Sequence, residues 1–431
     1  MNEILLITAV FLGGLFLLYG LGVPVGFAMV IAGIFSWIAF DSVNYAVISN
    51  QMLFGLDSFP LLAIPFYVFL GRLMNSMGMT KRIFRFASAL VGQFRGGIAY
   101  INIVASMFFA GMSGLATADV AGLGRIEYTA MRDYGYDKST AIGVTGMSSL
   151  IGPIIPPSVP IIIYALLAEE SIGSLFLAGV VPGILLGLCL MLFVFILSYF
   201  RGFEAGEPFE LREAWESFKG AFLALITPLL IIGGILLGYF TATEAGAIAV
   251  VYTVLVGMFV YQEITVRSLL REARDSMIET CALTFLLAAA TFYGLVALQL
   301  RIPIVLTESI LGVSSDPLIV MFLLVGLFLL VGTFMGATAA ITILTPILIG
   351  LVETVGIDTV HFGIVMVLTL LLGTLTPPFG TILFVLEKVT DAELEEIMKA
   401  VVPFYIPMVV VILLIIFFPE IATFLPRQLL G

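Results

Sequence analysis

The sequence predicts an all-α polytopic membrane protein made of two inverted-topology repeats, each with a re-entrant helical hairpin and a discontinuous transmembrane helix. Three observations lead there. Of 431 residues, 61% are hydrophobic and 11% charged, with a mean hydropathy of +1.19, whereas a soluble domain is about half apolar. The chain also matches itself under a shift of 221 residues, and its lysines and arginines gather in a few short loops.

Apolar stretches near 4–20, 23–40, 60–77, 182–200, 221–240, 243–262, 276–298 and 403–418 are each long enough to cross roughly 30 Å of hydrocarbon. The first lacks a basic leader and a small-residue cleavage site, so it reads as a retained helix. Cys189 and Cys281 lie in apolar spans without metal-type spacing and are expected to pack. A net charge of -11 with no basic stripe excludes nucleic acid as a partner.

Under the shift, "IGPIIPP" (Ile151 to Pro157) falls on "LGTLTPP" (Leu372 to Pro378), Gly111 on Gly332, "ATA" from Ala116 on "ATA" from Ala337, and Asp137 on Asp358. From Gly111 to Pro157, 13 of 47 positions are identical without a gap, more than apolar bias alone supplies. The repeats are expected at 1–210 and 222–431, with 201–220, "RGFEAGEPFELREAWESFKG", as linker.

Lysine and arginine mark cytoplasmic loops. Fifteen of 18 fall in five clusters, around Lys81 to Arg95, Arg125 to Lys138, Arg201 to Lys219, Arg267 to Arg274, and Lys388 with Lys399. Arg72 lies within a span and is expected to snorkel toward the basic end. All five clusters share one side only if 98–133 and 317–352 are hairpins, the first open to the cytoplasm and the second outward. Both termini are then outside. This is the inverted design of many secondary transporters.

Pro156 and Pro157 break the helix that starts at Lys138, which must stop near Gly152 and restart near Ser158. Broken helices are expected at 138–168 and 359–390. Orphan carbonyls in hydrocarbon cost several kcal/mol, so such a break persists only in protein or around a wet cavity. The tips "GMSG" and "GTFMG" are its partners, since glycine permits a tight reversal. A half-helix C-terminus suits Na⁺, and a half-helix N-terminus suits a carboxylate. Ser113, Thr145, Ser148 and Ser149 supply hydroxyls around the first pair; Thr333, Thr338, Thr369, Thr374 and Thr376 do so around the second.

Asp119, about five residues past the first tip, is expected deep in the membrane, as a coupling acid or a structural partner of Arg125. Glu127 and Arg125 are expected to be solvated near the basic surface. Asn102 and Ser106 are expected to bond between helices. His361, the sole histidine, has the place of a cap or packing residue rather than a proton relay.

At these residues the chain resembles the large membrane subunit of tripartite ATP-independent periplasmic (TRAP) transporters. The resemblance rests on "NIVASMFFAGMSG", "SSLIGPIIPPS", "TATEAGAIAVVY", "GTFMGATAAITILTPIL" and "GIDTVHFGIVMVL…TPPFG", in fixed order across nearly the whole chain. It implies an inner-membrane, Na⁺-coupled, elevator-type importer of organic acids such as C4-dicarboxylates, sugar acids or sialic acid. It also implies an extracytoplasmic solute-binding protein and a small four-helix membrane subunit as partners, and no cofactor beyond Na⁺ as coupling ion. By the same resemblance, one Na⁺ site would use Gly111 to Ser113 with Ser148, Ser149 and Gly152, and the other Gly332 and Thr333 with Thr369, Gly373 and Thr376. The anion would lie between them against Pro156, Pro157 and Ser158 and against Pro377, Pro378 and Gly380, with Thr145 and Thr338 alongside. The chain departs from the family pattern at Leu115, Gly336 and Thr369, where a small polar residue, Asp and Asn are usual.

Other classes fit less well. No G-x-x-x-x-G-K-[ST] loop is present for an ATP-driven pump. One histidine cannot make a zinc-protease motif, and the repeat position of Asp119 is Ala340, so no aspartate pair forms; an enzyme is not expected. A stand-alone ion-coupled anion transporter and a passive channel remain the alternative readings.

Overall fold

The computed structural model of the chain describes residues 2–39, 45–203 and 208–430, which are helical with short connections. Eight helices are long and apolar enough to cross a membrane among the described residues, from Phe59–Ser76 to Leu394–Phe417. Shorter apolar helices, Gly97–Ala110 and Thr359–Thr374 among them, complete the bundle.

Helix boundaries repeat under the shift of 221 residues. Gly97–Ser113 corresponds to Pro317–Phe334, 116–133 to Ala337–Val355, Lys138–Ser148 to the start of Thr359–Thr374, and Val159–Leu167 to Thr381–Thr390. Local chemistry repeats with them. Asp137 accepts from the Thr140 amide and Asp358 from the His361 amide, each capping a broken helix at its N-terminus. Gly135 and Gly356, two residues before each cap, both have positive φ, where a side chain would be strained.

The helix Ile172–Arg201 fixes how these copies lie. Its 30 residues span about 45 Å at 1.5 Å per residue. At its C-terminal end Arg201 pairs with Asp137 at 2.5 Å. Just before its N-terminus, Glu170 accepts from the hydroxyl of Thr359. The two broken helices therefore begin at opposite ends of this one rod. Around its Arg201 end Arg85 pairs with Glu213, and Lys138, next to Asp137, pairs with Glu396; Arg82 pairs with Glu263 and Arg125 with Asp391. At the other end Arg427 pairs with Asp358.

The second half of the segment 201–220 is helical, because the helix Leu211–Leu236 starts inside it. Ala214 and Ser217 are buried there, and Glu213 is held by Arg85, so packing against the basic helix Met79–Val91 extends the span below the membrane. Cys281 is exposed, on an apolar groove also lined by Met52, Leu61, Met277 and Phe285, whereas Cys189 is half-buried. Arg72 does turn toward the basic end, where Glu272, Asp275 and Glu279 lie 3.6 to 3.9 Å from its guanidinium.

The hairpins and broken helices interleave. Val159–Leu167, the part after the first break, packs on the second hairpin's return arm Ala337–Val355; Thr381–Thr390, the part after the second break, packs on the first hairpin's return arm. Tyr164 lies against Gly363 and its hydroxyl donates to the Thr359 carbonyl at 2.6 Å, tying one broken helix to the other.

Candidate functional site

Each break stops its helix by the means the prolines dictate. Lys138–Ser148 tightens into a 3₁₀ turn, Ser149–Ile151, and the helix resumes at Val159 with Ser158 as cap. Pro156 and Pro157 are buried between them. Ser158 is fully buried, accepts from the Ile161 amide at 3.3 Å and donates to the Pro153 carbonyl at 2.5 Å. One side chain thus satisfies an orphan amide and an orphan carbonyl of the break. In the second copy, Thr359–Thr374 stops and Thr381–Thr390 resumes after Gly380. Gly380 is obligatory: a Cβ there would stand 2.5 Å from the Thr374 carbonyl oxygen and 2.8 Å from that of Thr376.

Tip and break touch backbone to backbone. A Cβ on Gly373 would lie 2.6 Å from the Cα of Gly332, and one on Gly332 would lie 2.9 Å from the Leu370 carbonyl oxygen. In the first copy Gly114, in the left-handed region, would bring a Cβ to 2.7 Å from the Pro157 carbonyl oxygen. Gly111, Met112 and Ser113 end the first arm, and their side chains lie outside the described residues.

The hydroxyls divide into two behaviours. In the second copy Thr369, Thr374 and Thr376 donate to Val365, Leu371 and Leu372 carbonyls at 2.6 to 2.8 Å, and Thr333 donates to Leu330. Each spends its hydrogen on its own helix and keeps its oxygen lone pairs, the part a cation needs. Thr338 is partly buried and its carbonyl accepts from Thr342. In the first copy Ser149 behaves alike, donating to the Gly146 carbonyl at 2.8 Å. Thr145 and Ser148 join a side-chain network around Asn102, at 3.1 and 2.8 Å, and Ser148 also reaches the Thr145 carbonyl of its own helix at 3.2 Å.

The carboxylates are placed unequally. Asp119 is 3% exposed and packs on the first break, since a Cβ on Gly152 would fall 1.8 Å from its Oδ2. Arg125 points elsewhere, to Asp391, with both side chains well exposed. Glu127 overturns its expected solvation: it is 2% exposed, and Ser106 donates to its Oε1 at 3.1 Å. The signal was present, because Val120, Leu123, Gly124, Glu127 and Met131 are all buried at helical spacing. His361 is buried and its Nε2 meets the Ile415 carbonyl at 2.9 Å, a packing place as its position implied.

The breaks differ in exposure. The first is closed over, whereas Pro378 is exposed and Phe379 is 52% exposed, tilted against Phe334 of the second tip with ring centroids 5.8 Å apart. The Phe334 carbonyl accepts from Tyr19 of the first helix at 3.0 Å. A cavity of about 1520 Å³ lies at the basic rim around Arg85, Gly97, Tyr136, Asp137 and Arg201, at the mouth of the first hairpin and not at its tip.

Interrupted helices with freed backbone groups, met by glycine tips inside a many-span bundle, are the architecture of a membrane permease. The chain belongs to the family described as tripartite ATP-independent periplasmic transporter, DctM component, whose pattern matches residues 12–421, and it is accordingly a multi-pass inner-membrane protein. It is 39% identical over 410 residues to the sialic acid TRAP transporter large permease protein SiaM of Vibrio cholerae, covering 95% of this chain and 96% of that one. It is 35% identical to the C4-dicarboxylate TRAP transporter large permease protein DctM of Pseudomonas aeruginosa, covering 86% and 87%. The crystal structure of the Alcanivorax borkumensis YdaH transporter shares the fold, with a TM-score of 0.62 at 14% identity over 87% of this chain and 88% of that one.

Proposed function

We propose that this permease imports an organic acid anion by Na⁺-coupled secondary transport, with the anion delivered by an extracytoplasmic solute-binding protein. The observation that carries this reading is the pairing of tip and break in both copies, Gly332 on Gly373 and Gly114 on Pro157. At each break the upstream half-helix ends in carbonyls; downstream, the first half-helix leaves the Val159 amide, since Pro160 has none and Ser158 takes that of Ile161, and the second starts at Thr381 without a side-chain cap. Carbonyls with Ser148, Ser149 and Gly152, and with Thr333, Thr369 and Thr376, suit two Na⁺ ions. The amide ends at Ser158 and Gly380, their dipoles positive toward the gap, suit a carboxylate. Na⁺ that completes the carbonyl shell also neutralises charge beside the anion, so each favours binding of the other.

We read 1–210 and 222–431 as inverted-topology repeats, with the basic rim cytoplasmic and both termini outside. The interleaved hairpins and broken helices would move together as an elevator against the remaining spans. A small four-helix membrane subunit would brace those spans. The relatives transport sialic acid and C4-dicarboxylates by name, which makes these the first substrates to test.

Proteoliposomes holding the chain and its small subunit should accumulate the anion only with both an inward Na⁺ gradient and the added binding protein. Accumulation without the binding protein would favour a stand-alone transporter. Downhill flux alone, indifferent to Na⁺, would favour a channel and overturn the proposal.

A further inference from the structure

The first hairpin carries a buried polar cluster that its skeleton does not require. Asn102 and Ser106 on the entering arm, Glu127 on the return arm, and Thr145 and Ser148 on the broken helix are each at most 2% exposed. At the corresponding positions of the second copy, 221 residues on, stand Leu323, Leu327, Leu348, Met366 and Thr369. The same hairpin on the same broken helix is built there with apolar side chains at four of the five positions, Thr369 alone keeping a hydroxyl. A carboxyl in this place therefore needs a reason other than the fold.

Asn102 sits at the centre, and of the two ways its amide can be seated, one satisfies both ends only with a proton on Glu127 and the other does so outright. In one, Ser148 donates to Oδ1 at 2.8 Å and Nδ2 donates to the Thr145 hydroxyl at 3.1 Å. The Oδ1 atom then faces both carboxyl oxygens of Glu127 at 3.1 Å. Two acceptors cannot bond, so this seating needs a proton on Glu127 to donate. In the other, Nδ2 donates to Ser148 at 2.8 Å and to Glu127 at 3.1 Å, while Oδ1 accepts from Thr145 at 3.1 Å. This seating fits an ionised carboxylate, which only accepts. Ser106 serves Glu127 as donor in both. One proton and one amide rotation interconvert two closed networks.

The surroundings leave that choice to Glu127. On its own arm Arg125 is engaged by Asp391 and Arg132 by the Tyr136 carbonyl, while Asp133 and Tyr128 lie nearer the rim; on the broken helix Lys138 is engaged by Glu396. The entering arm offers Tyr100, and Thr381–Thr390 offers Glu387 and Lys388, the latter exposed. Among the described residues no lysine, arginine or histidine bridges Glu127, and Asp119 is the acid within electrostatic reach.

We propose that Glu127 is a proton-binding site linked through Asn102 to the Ser148 hydroxyl, so that a proton and the cation held at the first break bind in competition. In both seatings Ser148 keeps a lone pair for a cation; what changes is the charge behind it. An anionic Glu127 draws a cation toward Ser148 through a dry, weakly screened region, and a protonated one does not. This inference rests on the reading of Ser148 as a Na⁺ ligand.

Two readouts on the purified full chain in nanodiscs separate the inference from that reading. First, Na⁺ titrations followed by thermal stability, with K⁺ as control, should give a midpoint that rises as pH falls, by up to about tenfold per pH unit for one competing proton. Glu127→Gln should flatten this dependence to within about twofold, and Asn102→Leu should weaken it. Second, infrared difference spectra without Na⁺ should contain a carboxylic-acid carbonyl band that titrates with pH, persists in Asn102→Leu and is lost in Glu127→Gln. A Na⁺ midpoint indifferent to pH in the unmodified chain, or a slope that survives Glu127→Gln, overturns the competition. Absence of a titrating band that depends on Glu127 overturns the proton site even where Na⁺ binds. A titrating band with no Na⁺ response at any pH keeps the proton site and removes the Na⁺ ligand reading instead.

Discussion

Replacing Gly373 by Ala tests the contact between the second tip and its break. The added methyl would meet the Gly332 Cα at 2.6 Å, the Gly332 carbonyl carbon at 2.8 Å and the Thr333 amide nitrogen at 3.2 Å. All three are backbone atoms, so no rotamer change relieves the contact. Overpacking of this kind costs about 1–3 kcal/mol, offset by the ~0.5–1 kcal/mol that Ala gains over Gly inside a helix. The net is ~0–2.5 kcal/mol with a middle value of about 1.3 kcal/mol, or roughly a ninefold shift in the population holding tip against break. Two glycines on the second hairpin, which carries Gly332, calibrate it: Gly326 and Gly350 have nothing within 4 Å of an added Cβ, so Ala there should be neutral or slightly stabilising. Apparent melting temperature in detergent, with and without Na⁺, reads the effect. Gly373→Ala should melt lower and need roughly ninefold more Na⁺ for half-maximal stabilisation. If it matched Gly326→Ala in both measures, tip and break would not be in contact and the paired-site reading would fail.

Gly152→Ala should be severe, because its methyl would occupy the space 1.8 Å from Asp119 Oδ2; adding Asp119→Ala should recover part of the loss, with a coupling of about 0.5–3 kcal/mol in a double-mutant cycle on stability. Strict additivity would show that the two do not share that space. Asp137, at the basic rim, is lifted by partial burial, but hydrogen bonds from Arg201 and Thr140 outweigh that and hold its carboxyl below the usual range. Its stabilising contribution is therefore present above the unfolded-state carboxylate range and lost as pH falls through its lowered value. The half-exposed pair limits it to under about 1 kcal/mol, and acid-melting curves of Asp137→Asn should run closer to flat than those of the unmodified chain.

Much of this was legible because the devices that interrupt a membrane helix are few and written in proline and glycine. Pro156 with Pro157 and Pro377 with Pro378 fix both breaks, and the hairpin tips fall where glycines permit a reversal. Side-chain depth was harder to read. Arg125 and Arg132 flank Glu127 and suggest a solvated arm, yet they point to Asp391 and the Tyr136 carbonyl while Glu127 lies in the buried stripe of Leu123 and Met131. Loop charge reports where an arm ends, and only helical period reports which way each residue faces. The start of Leu211–Leu236 was hidden for a related reason: hydropathy ends at the membrane boundary, whereas the helix continues as long as an amphipathic face finds a partner, here through Arg85 and Glu213.

Symmetry in the backbone and asymmetry in the side chains have separate causes. On the transport reading proposed above, alternating exposure of one central site to two sides would require matched hinges, and the breaks, caps and glycine tips recurring 221 residues apart fit that requirement. Nothing in that requirement asks both copies to hold the same charge. A site that binds one net-negative ligand with cations on each flank gains by making the flanks unequal, since two equivalent ion sites would fill and empty together. The first flank carries Asp119 on Gly152 and the Glu127 network; the second has Ala340 and Leu348 there and relies on helix-bonded threonine hydroxyls and carbonyls. Acidic and neutral ligand sets hold a cation with different strength, so the first break should fill at lower Na⁺ than the second. Ser149→Ala and Thr376→Ala accordingly should shift two separate phases of a Na⁺ titration, and a single phase moved equally by both would show that the flanks act as one.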